Sequence, residues 1–350
     1  MNKTNRIYLW RIVFTYIILV IHLDNVYHYV QDVGHGFTFT MYYAVDFFFI
    51  VSGYLLYQKL RGKSAPKDAL TYSLSRLRRI YPPYLLVLLL SFVAVCVGKK
   101  TELSPFSLFM DSFWEIVMLQ GIGLGREWNY LNPTLWFLSV MLIAGYVIYF
   151  CLQRWHDVFL KLVAPILMII VASLLYRNVG SLDAVVVIDE PWLNYPLFRG
   201  FMDMMLGVYA WFLVEKIKHA SRPVPCVFLG YFFTLSAIFL GCFQGAIQSD
   251  YMILALLYLG IVFSFVPAGS KVLESPLIKK WSKMTLYIYL IHDLFRSHIF
   301  PYFLPEVEGL ANKMWVLLLF FVVVTVAAMV LEAVMRLLKK LLCSRTAISI

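Results

Sequence analysis

Residues 6–30 read RIYLWRIVFTYIILVIHLDNVYHYV, and this stretch sets the fold class of the chain. Between Arg11 and His22 no charged residue occurs, so a helix built from this segment would be apolar almost all round. Such a helix is typical of a segment solvated by lipid, and roughly 20 residues suffice to cross a bilayer. Because no small-residue cleavage site follows, the segment is predicted to be a retained membrane anchor.

The same pattern recurs along the whole chain. Of 350 residues, 61% are hydrophobic and 14% are charged, whereas soluble domains carry roughly 25% charged residues. This composition argues against a soluble fold and predicts one all-α integral membrane domain over residues 1–350, a bundle of about ten transmembrane helices. The predicted spans are 7–31, 38–58, 80–97, 133–153, 158–176, 197–214, 224–243, 250–267, 284–303 and 313–338.

The basic residues predict the orientation of this bundle. Most of the 30 Lys and Arg residues fall in alternate connections, which places both termini in the cytoplasm by the positive-inside rule. The most basic connection is the loop 59–79. The net charge of +10 is therefore assigned to topology rather than to nucleic-acid binding. The apolar stretch 103–120 is interrupted by Asp111 and Glu115, and it is predicted to be an interfacial or re-entrant helix.

Two ionisable residues in the first spans are candidates for catalysis. Arg11 and His22 are eleven residues apart, so they share a helix face, with His22 about 16 Å further along. A histidine near mid-membrane needs a partner or a task, and a structural hydrogen bond is the alternative reading. Asp46 in the second span lies at a similar depth, so a His22–Asp46 contact is predicted, with Asp24 as the competing partner on another face. That contact would fix the imidazole tautomer and leave the other nitrogen as a base.

Two arginines mark the entrance to the third span. Arg76 and Arg79 are three residues apart and share a face, as suits recognition of phosphate. The alternative reading of these charges is positive-inside topology or binding of lipid headgroups, and the phosphate reading is preferred for Arg76 and Arg79. The Ser52–Gly53 pair permits either close helix packing or approach of a ligand.

Other polar residues fall inside the later spans. His292 lies near mid-membrane in the ninth span, where it could support His22, contact the acceptor or make a structural hydrogen bond. Asp203 and Glu332 are buried acids without an assigned role. The sequence contains no metal-ligand pattern, so no metal is expected.

Several short motifs, taken together, resemble a known family. They are Arg11-x10-His22, the segment VDFFFIVSGYLL with Asp46, Ser52 and Gly53, Arg76-x2-Arg79-Ile80-Tyr81-Pro82, Asn132-Pro133-Thr134-Leu135-Trp136-Phe137-Leu138, Leu206-Gly207 and Thr285-Leu286-Tyr287-Ile288-Tyr289-Leu290-Ile291-His292. In this order and at this spacing they resemble the membrane-bound acyltransferase 3 family over about residues 6–335. One departure is the segment that begins at Trp136, which lacks the paired glutamates of some members.

The resemblance implies transfer of an acyl group, usually acetyl, from acyl-coenzyme A to a hydroxyl of a polysaccharide, oligosaccharide or lipid-linked sugar. It places the enzyme in the cytoplasmic (inner) membrane, with membrane lipids as neighbours and no nucleic-acid partner. The family's histidine and arginine of the first helix are carried over to His22 and Arg11, and its paired arginines to Arg76 and Arg79. Together with the reading of the residues themselves, this makes His22, Asp46 and Arg11 the candidates for catalysis and Arg76, Arg79 and Arg11 those for the donor phosphates. Ser52, Gly53, Trp136 and His292 are the candidates for substrate contacts or supports.

Two questions stay open from the sequence. His22 could act as general base on the acceptor hydroxyl, or it could itself carry the acyl group. The rival function is a transporter or exporter of a glycan or glycolipid that uses His22, Asp46 and Asp203 as a proton relay.

Overall fold

The computed structural model describes residues 5–28, 42–98, 103–122, 131–182, 194–220, 223–242, 250–267, 275–304 and 307–348. Within these ranges the chain forms helices and turns, and no strand occurs. The long helices are α1 (Asn5–Tyr27), α2 (Tyr43–Leu60), α3 (Ala69–Gly98), α4 (Trp136–Arg154), α5 (His156–Val179), α6 (Tyr195–Ala220), α7 (Pro223–Gly241), α8 (Asp250–Phe265), α9 (Pro276–Leu294) and α10 (Leu310–Ile348). Beyond α9, a π-helical turn at Phe295–Ile299 and a short helix at Phe300–Phe303 extend the chain in helical form.

The predicted all-α membrane bundle is confirmed. Six of the described helices are long and apolar enough to cross a membrane, namely α1, α3, α4, α5, α6 and α10. The helices α7 and α8 are equally apolar but shorter. The remaining two, α2 and α9, belong to neither group; α2 contains Asp46 and Lys59, and α9 carries three lysines in its first turns. The placement of both termini in the cytoplasm stays a prediction.

The start of α3 differs from the predicted span. The helix begins at Ala69 rather than at residue 80, and the Asp68 carboxylate accepts a hydrogen bond from the Thr71 backbone N–H at 2.7 Å. This bond satisfies one of the free N–H groups that every helix start leaves. The basic loop is therefore confined to the residues between α2 and α3, and Arg76 and Arg79 lie on a helix that extends beyond the apolar stretch.

The stretch 103–120 forms two short helices, Pro105–Asp111 and Phe113–Ile116, instead of a long one. Both are too short to cross a bilayer. The second helix carries Glu115 into the bundle, where its carboxylate accepts the backbone N–H groups of Leu131 and Asn132 at 3.3 and 3.1 Å. These bonds hold the turn that leads into α4.

The closest helix pair is α2 with α6. A Cβ atom added to Gly53 would lie 1.9 Å from the Met204 carbonyl oxygen, and one added to Gly207 would lie 2.0 Å from that of Ile50. The two backbones are thus in direct contact, which only glycine allows at these two positions. Around this pair pack α4, α5 and α8, while α1 lies against α2, α8, α9 and α10.

Candidate active site

A cavity of about 210 Å³ opens between α1, α2, α3, α4 and α9. Arg11, Arg76 and Arg79 line it from the N-terminal parts of α1 and α3. Its wall is otherwise mostly apolar, with Phe48 and Phe137 among the lining residues. The structure therefore brings together three of the arginines that the sequence singled out, at the edge of a narrow apolar space.

The three guanidinium groups lie near one another without a neutralising acid. No acidic residue occurs among the described residues that line the cavity, and Arg79 is close enough to Arg11 to repel it. The Arg76 guanidinium lies 5.0 Å from the centre of the Tyr72 ring, which fixes it by a cation–π contact. Like charges held together in this way are costly unless an anion binds between them, and phosphate oxygens are well matched to arginine.

The cavity follows one face of α1 toward His22. The lining residues Arg11, Thr15 and Ile18 recur at helical spacing, and His22 is the next position on that stripe. On α9 the lining residue Tyr289 is followed, one turn later, by His292. The two histidines therefore meet just beyond the far end of the cavity, about 16 Å along α1 from Arg11.

His22 and His292 form a hydrogen-bonded pair. His22 Nδ1 lies 2.7 Å from His292 Nε2, and the rings are stacked with centroids 5.0 Å apart. His292 is fully buried, and its Nδ1 lies 2.6 Å from the backbone carbonyl oxygen of Tyr289.

The direction of these bonds follows from the carbonyl. A carbonyl oxygen only accepts, so His292 Nδ1 carries a hydrogen, and neutral His292 then accepts at Nε2. His22 must donate from Nδ1. This leaves the lone pair on His22 Nε2, and no protein group in the described residues bonds to that nitrogen.

The predicted contact between His22 and Asp46 is wrong. The Asp46 carboxylate accepts a hydrogen bond from Arg199 Nε at 2.6 Å, and Asp203 lies 4.0 Å from the same nitrogen. All three side chains are almost completely buried. Similar depth in the membrane says nothing about which way a side chain points around the helix, and Asp46 points toward α6. The predicted catalytic role of Asp46 loses the contact on which it rested.

The remaining predicted residues divide between the cavity and the packing. Ser52 lines the cavity, and its hydroxyl contacts the Met141 sulfur at 3.4 Å. Gly53 instead faces α6, so its position is explained by helix packing rather than by a ligand. Trp136 is buried beside Phe49 and does not line the cavity, whereas the next residue, Phe137, does.

Arg199, the partner of Asp46, was not among the residues predicted from the sequence. Arg199 and Asp203 are four residues apart in an apolar helix, and this opposite-charge pair was a readable signal of a buried cluster. Glu332, the other unassigned acid, lies 3.5 Å from Arg336 one turn further along α10.

A second group of missed residues supports the far end of the cavity. The Tyr289 hydroxyl donates to the Thr134 carbonyl, and the Asn132 side-chain amide donates to the Leu290 carbonyl at 3.4 Å. Glu115, outside the spanning helices, holds the backbone of the same turn. Burial raises the pKa of Glu115 to about 7, although the hydrogen bonds from Asn132 and Leu131 act in the opposite direction. The signals for these residues were that Asn132 and Tyr289 fall inside the quoted motifs and that Glu115 interrupts an apolar stretch.

Comparison with known proteins identifies the family of this chain. A family model described as an acyltransferase domain matches residues 5–334. No curated protein matches the chain, and no solved structure does. In the part of the chain that the structure describes, no cluster of three potential metal ligands occurs. The family match covers nearly the whole sequence, on a bundle with several membrane-crossing helices, so the chain belongs to the acyltransferase 3 family and is a multi-pass membrane acyltransferase.

Proposed function

We propose that the protein is an O-acyltransferase that moves an acyl group, in the first instance acetyl, from acyl-coenzyme A to a hydroxyl of a glycan. The observation that carries this proposal is the cavity that begins at three arginines and ends beside the His22–His292 pair. Coenzyme A has its phosphates at one end and its thioester at the end of a long, thin arm. The cavity has a similar layout, with three arginines at one end and the histidine pair one helical turn beyond the other.

The donor would bind with its phosphates on Arg11, Arg76 and Arg79. These side chains lack a carboxylate partner among the described lining residues and can offer charge-assisted hydrogen bonds. A volume of about 210 Å³ lies below the range of roughly 300–1,000 Å³ of drug-sized pockets, so a thin chain fits it better than a bulky ligand. The pantetheine arm is such a chain, while the nucleotide would stay at the mouth.

The chemistry would centre on Nε2 of His22. The acceptor hydroxyl gives its proton to this nitrogen as its oxygen attacks the thioester carbon. The carbon–sulfur bond then breaks, and the departing thiolate takes the proton from His22, so that charge and protons balance. His292 would hold His22 in the required tautomer through the 2.7 Å hydrogen bond. If Nε2 attacks the thioester itself, the same geometry supports an acyl-histidine intermediate.

The acceptor class rests on the family resemblance. His22 is close to the C-terminal end of α1, which the positive-inside rule places toward the outer side of the membrane. A hydroxyl presented from that side, on a polysaccharide, an oligosaccharide or a lipid-linked sugar, would meet a donor that enters from the cytoplasm. The cytoplasmic (inner) membrane is the location that suits such a donor.

The decisive experiment follows labelled acetyl-coenzyme A with purified protein and candidate sugars. Replacement of His22 by Ala should lower turnover by a factor of about 10²–10⁴, which is the usual contribution of a general base. The matched control is His219→Ala, because His219 is exposed near the end of α6. Turnover in His22→Ala equal to that of the control would refute His22 as the catalyst. Movement of sugar across the membrane without covalent labelling would instead favour the transporter.

The donor site is tested by binding rather than by turnover. The double variant Arg76→Ala/Arg79→Ala should weaken binding of coenzyme A, with Lys63→Ala in the exposed loop as the control. Because His22→Ala leaves these arginines intact, it should bind the donor normally. Unchanged donor affinity in the double variant would contradict the arginine site while leaving the role of His22 open. Trapped label on the protein in single-turnover reactions would show the acyl-histidine route.

A further inference from the structure

A second, larger space lies on the outside of the bundle, between α3, α9 and α10. This groove has a volume of about 1190 Å³. Its lining includes Arg78 and Arg79 from α3 and Arg336 and Lys339 from α10. Arg79 therefore borders both this groove and the donor cavity, but the other three cations belong to the groove alone.

The charged residues among the described residues that line the groove are all positive. No acid occurs among the described residues that line it, and the nearest carboxylate with a described contact is Glu332, 3.5 Å from Arg336. Arg78, Arg336 and Lys339 are exposed. Two helices that are far apart in sequence thus present four cations to one space, and an anion would be attracted there.

Beyond these cations, α3 contributes an apolar wall. Leu85, Leu86 and Leu89 line the groove, and Leu89 is 55% exposed. Leu89 lies ten residues beyond Arg79, which corresponds to a rise of about 15 Å. This is half of the roughly 30 Å hydrocarbon core, the depth of one leaflet.

The prolines of α3 add a further feature. Pro82 and Pro83 line the groove inside the helix, and each lacks the backbone N–H that would bond to the carbonyl four residues earlier. The carbonyl groups of Arg78 and Arg79 are deprived of that helical partner. A headgroup that carries hydroxyl groups beside its phosphate could donate to them, since exposed backbone carbonyls in a membrane need a donor.

We propose that this groove binds an anionic glycerophospholipid of the cytoplasmic leaflet, with its phosphate on Arg78, Arg336 and Lys339 and an acyl chain along Leu85 and Leu89. A leaflet-deep apolar wall suits an acyl chain and is a poor match for the nucleotide of coenzyme A. The proposal is independent of acyl transfer, since it uses residues outside the donor cavity. Through Arg79, a bound lipid would border the donor cavity.

The test measures lipid retention by native mass spectrometry on purified protein in detergent. Phosphatidylglycerol and phosphatidylcholine with identical chains are the two probes. The variant Arg78→Ala/Lys339→Ala removes two exposed groove cations, and Arg61→Ala/Lys340→Ala removes the same charge at exposed positions outside the groove lining. We expect phosphatidylglycerol to be retained about 25-fold more strongly than phosphatidylcholine, since Arg78 and Lys339 should each add roughly a factor of five in affinity for anionic lipid, whereas Glu332 partly neutralises Arg336.

In the groove variant, retention of phosphatidylglycerol should fall to that of phosphatidylcholine. In the control variant, it should stay as high as in the wild type. Both variants should elute as the wild-type protein does in size-exclusion chromatography, which removes misfolding as an explanation. Equal retention of the two lipids by the wild type, or equal loss in both variants, would overturn the proposal. So would displacement of phosphatidylglycerol by coenzyme A, which would assign the groove to the donor. If soluble glycerol phosphate competed as strongly as the lipid itself, the groove would be a phosphate site that does not bind the acyl chain, and the proposal would fail.

Discussion

Two buried polar clusters in this bundle use ionisable residues in opposite ways. In the cluster of Asp46, Arg199 and Asp203, the guanidinium is fully enclosed and its charge faces two carboxylates. In the pair of His22 and His292, one hydrogen bond joins two imidazoles, and the pair lies one helical turn beyond the cavity-lining residues Ile18 and Tyr289, with His22 Nε2 left unbonded. The first cluster is enclosed in packing between α2 and α6, away from the cavity lining, whereas the second lies next to the far end of the cavity. An ionisable residue inside a membrane helix is therefore a catalytic candidate only when one of its polar atoms is unbonded and lies near a space that can hold substrate.

The energetics of the two clusters differ for the same reason. A charge within the bundle is tolerated only when a partner and hydrogen bonds replace water, so each member of the Arg199 cluster depends on the others. Burial of a neutral imidazole costs much less free energy than burial of a charge, so one of its nitrogens can remain without a hydrogen-bond partner. We therefore expect substitutions in the first cluster to affect folding and those in the second to affect turnover.

The largest effect is predicted for Arg199→Ala. Removing this guanidinium leaves Asp46 buried without its 2.6 Å partner, which should destabilise the protein by about 3–5 kcal/mol. Thermal unfolding in detergent, followed by size-exclusion or tryptophan fluorescence, measures the loss. Arg177→Ala, near the end of α5, is a matched control because that arginine is exposed. A fully folded Arg199→Ala variant with lost turnover would break the comparison, since the cluster would then be catalytic.

A smaller effect on turnover is expected for His292→Ala. Without its acceptor, His22 loses the bond that fixes its tautomer, and kcat should fall by roughly 10–100-fold at unchanged donor affinity. His292→Gln offers an amide oxygen that can accept from His22 Nδ1, so it should retain more activity than His292→Ala. The pH dependence of kcat should also change in His292→Ala. Equal activity of the Gln and Ala variants would argue for a plain packing role of His292.

Glu115 is a third kind of buried ionisable group, because its raised pKa keeps it protonated below a pH of about 7. Its pKa is raised to about 7 from 4.5, so between these pH values the folded protein keeps a proton that the unfolded chain releases. Because the folded state binds more protons, stability should decrease as the pH rises from about 4.5 to 7. Glu115→Gln should flatten this dependence, as measured by the melting temperature across the range. An identical pH slope in the variant would remove Glu115 as its source.

The smallest effect is predicted inside the Arg199 cluster, for Asp203→Asn. Arg199 Nε lies 4.0 Å from Asp203 but 2.6 Å from Asp46, so Asp203 contributes less than Asp46 to holding the guanidinium group. The melting temperature of Asp203→Asn should therefore stay closer to the wild type than that of Asp46→Asn. The reverse order would show that Asp203, and not Asp46, is the main partner of Arg199.

Part of this site was predictable from local sequence alone. The spacing of Arg11 and His22 along one helix face follows from helix geometry, and the cavity does line that face at Arg11, Thr15 and Ile18. Arg76 and Arg79 were placed at the entrance of the third span by the same reasoning, and both line the cavity. These predictions needed only residues within one helix, whose relative positions are set by a regular repeat.

The sequence by itself determined the membrane bundle, because uncharged runs of spanning length have a single stable environment, and it determined which residues share a helix face. Only the tertiary structure decided which faces meet. The choice of His292 rather than Asp46 as the partner of His22 depends on the rotation of α1 against α9. Arg199 reaches Asp46 because Gly53 and Gly207 allow α2 and α6 to touch. Helix rotation and close approach arise from packing between residues far apart in sequence, so the periodicity within one segment cannot predict them.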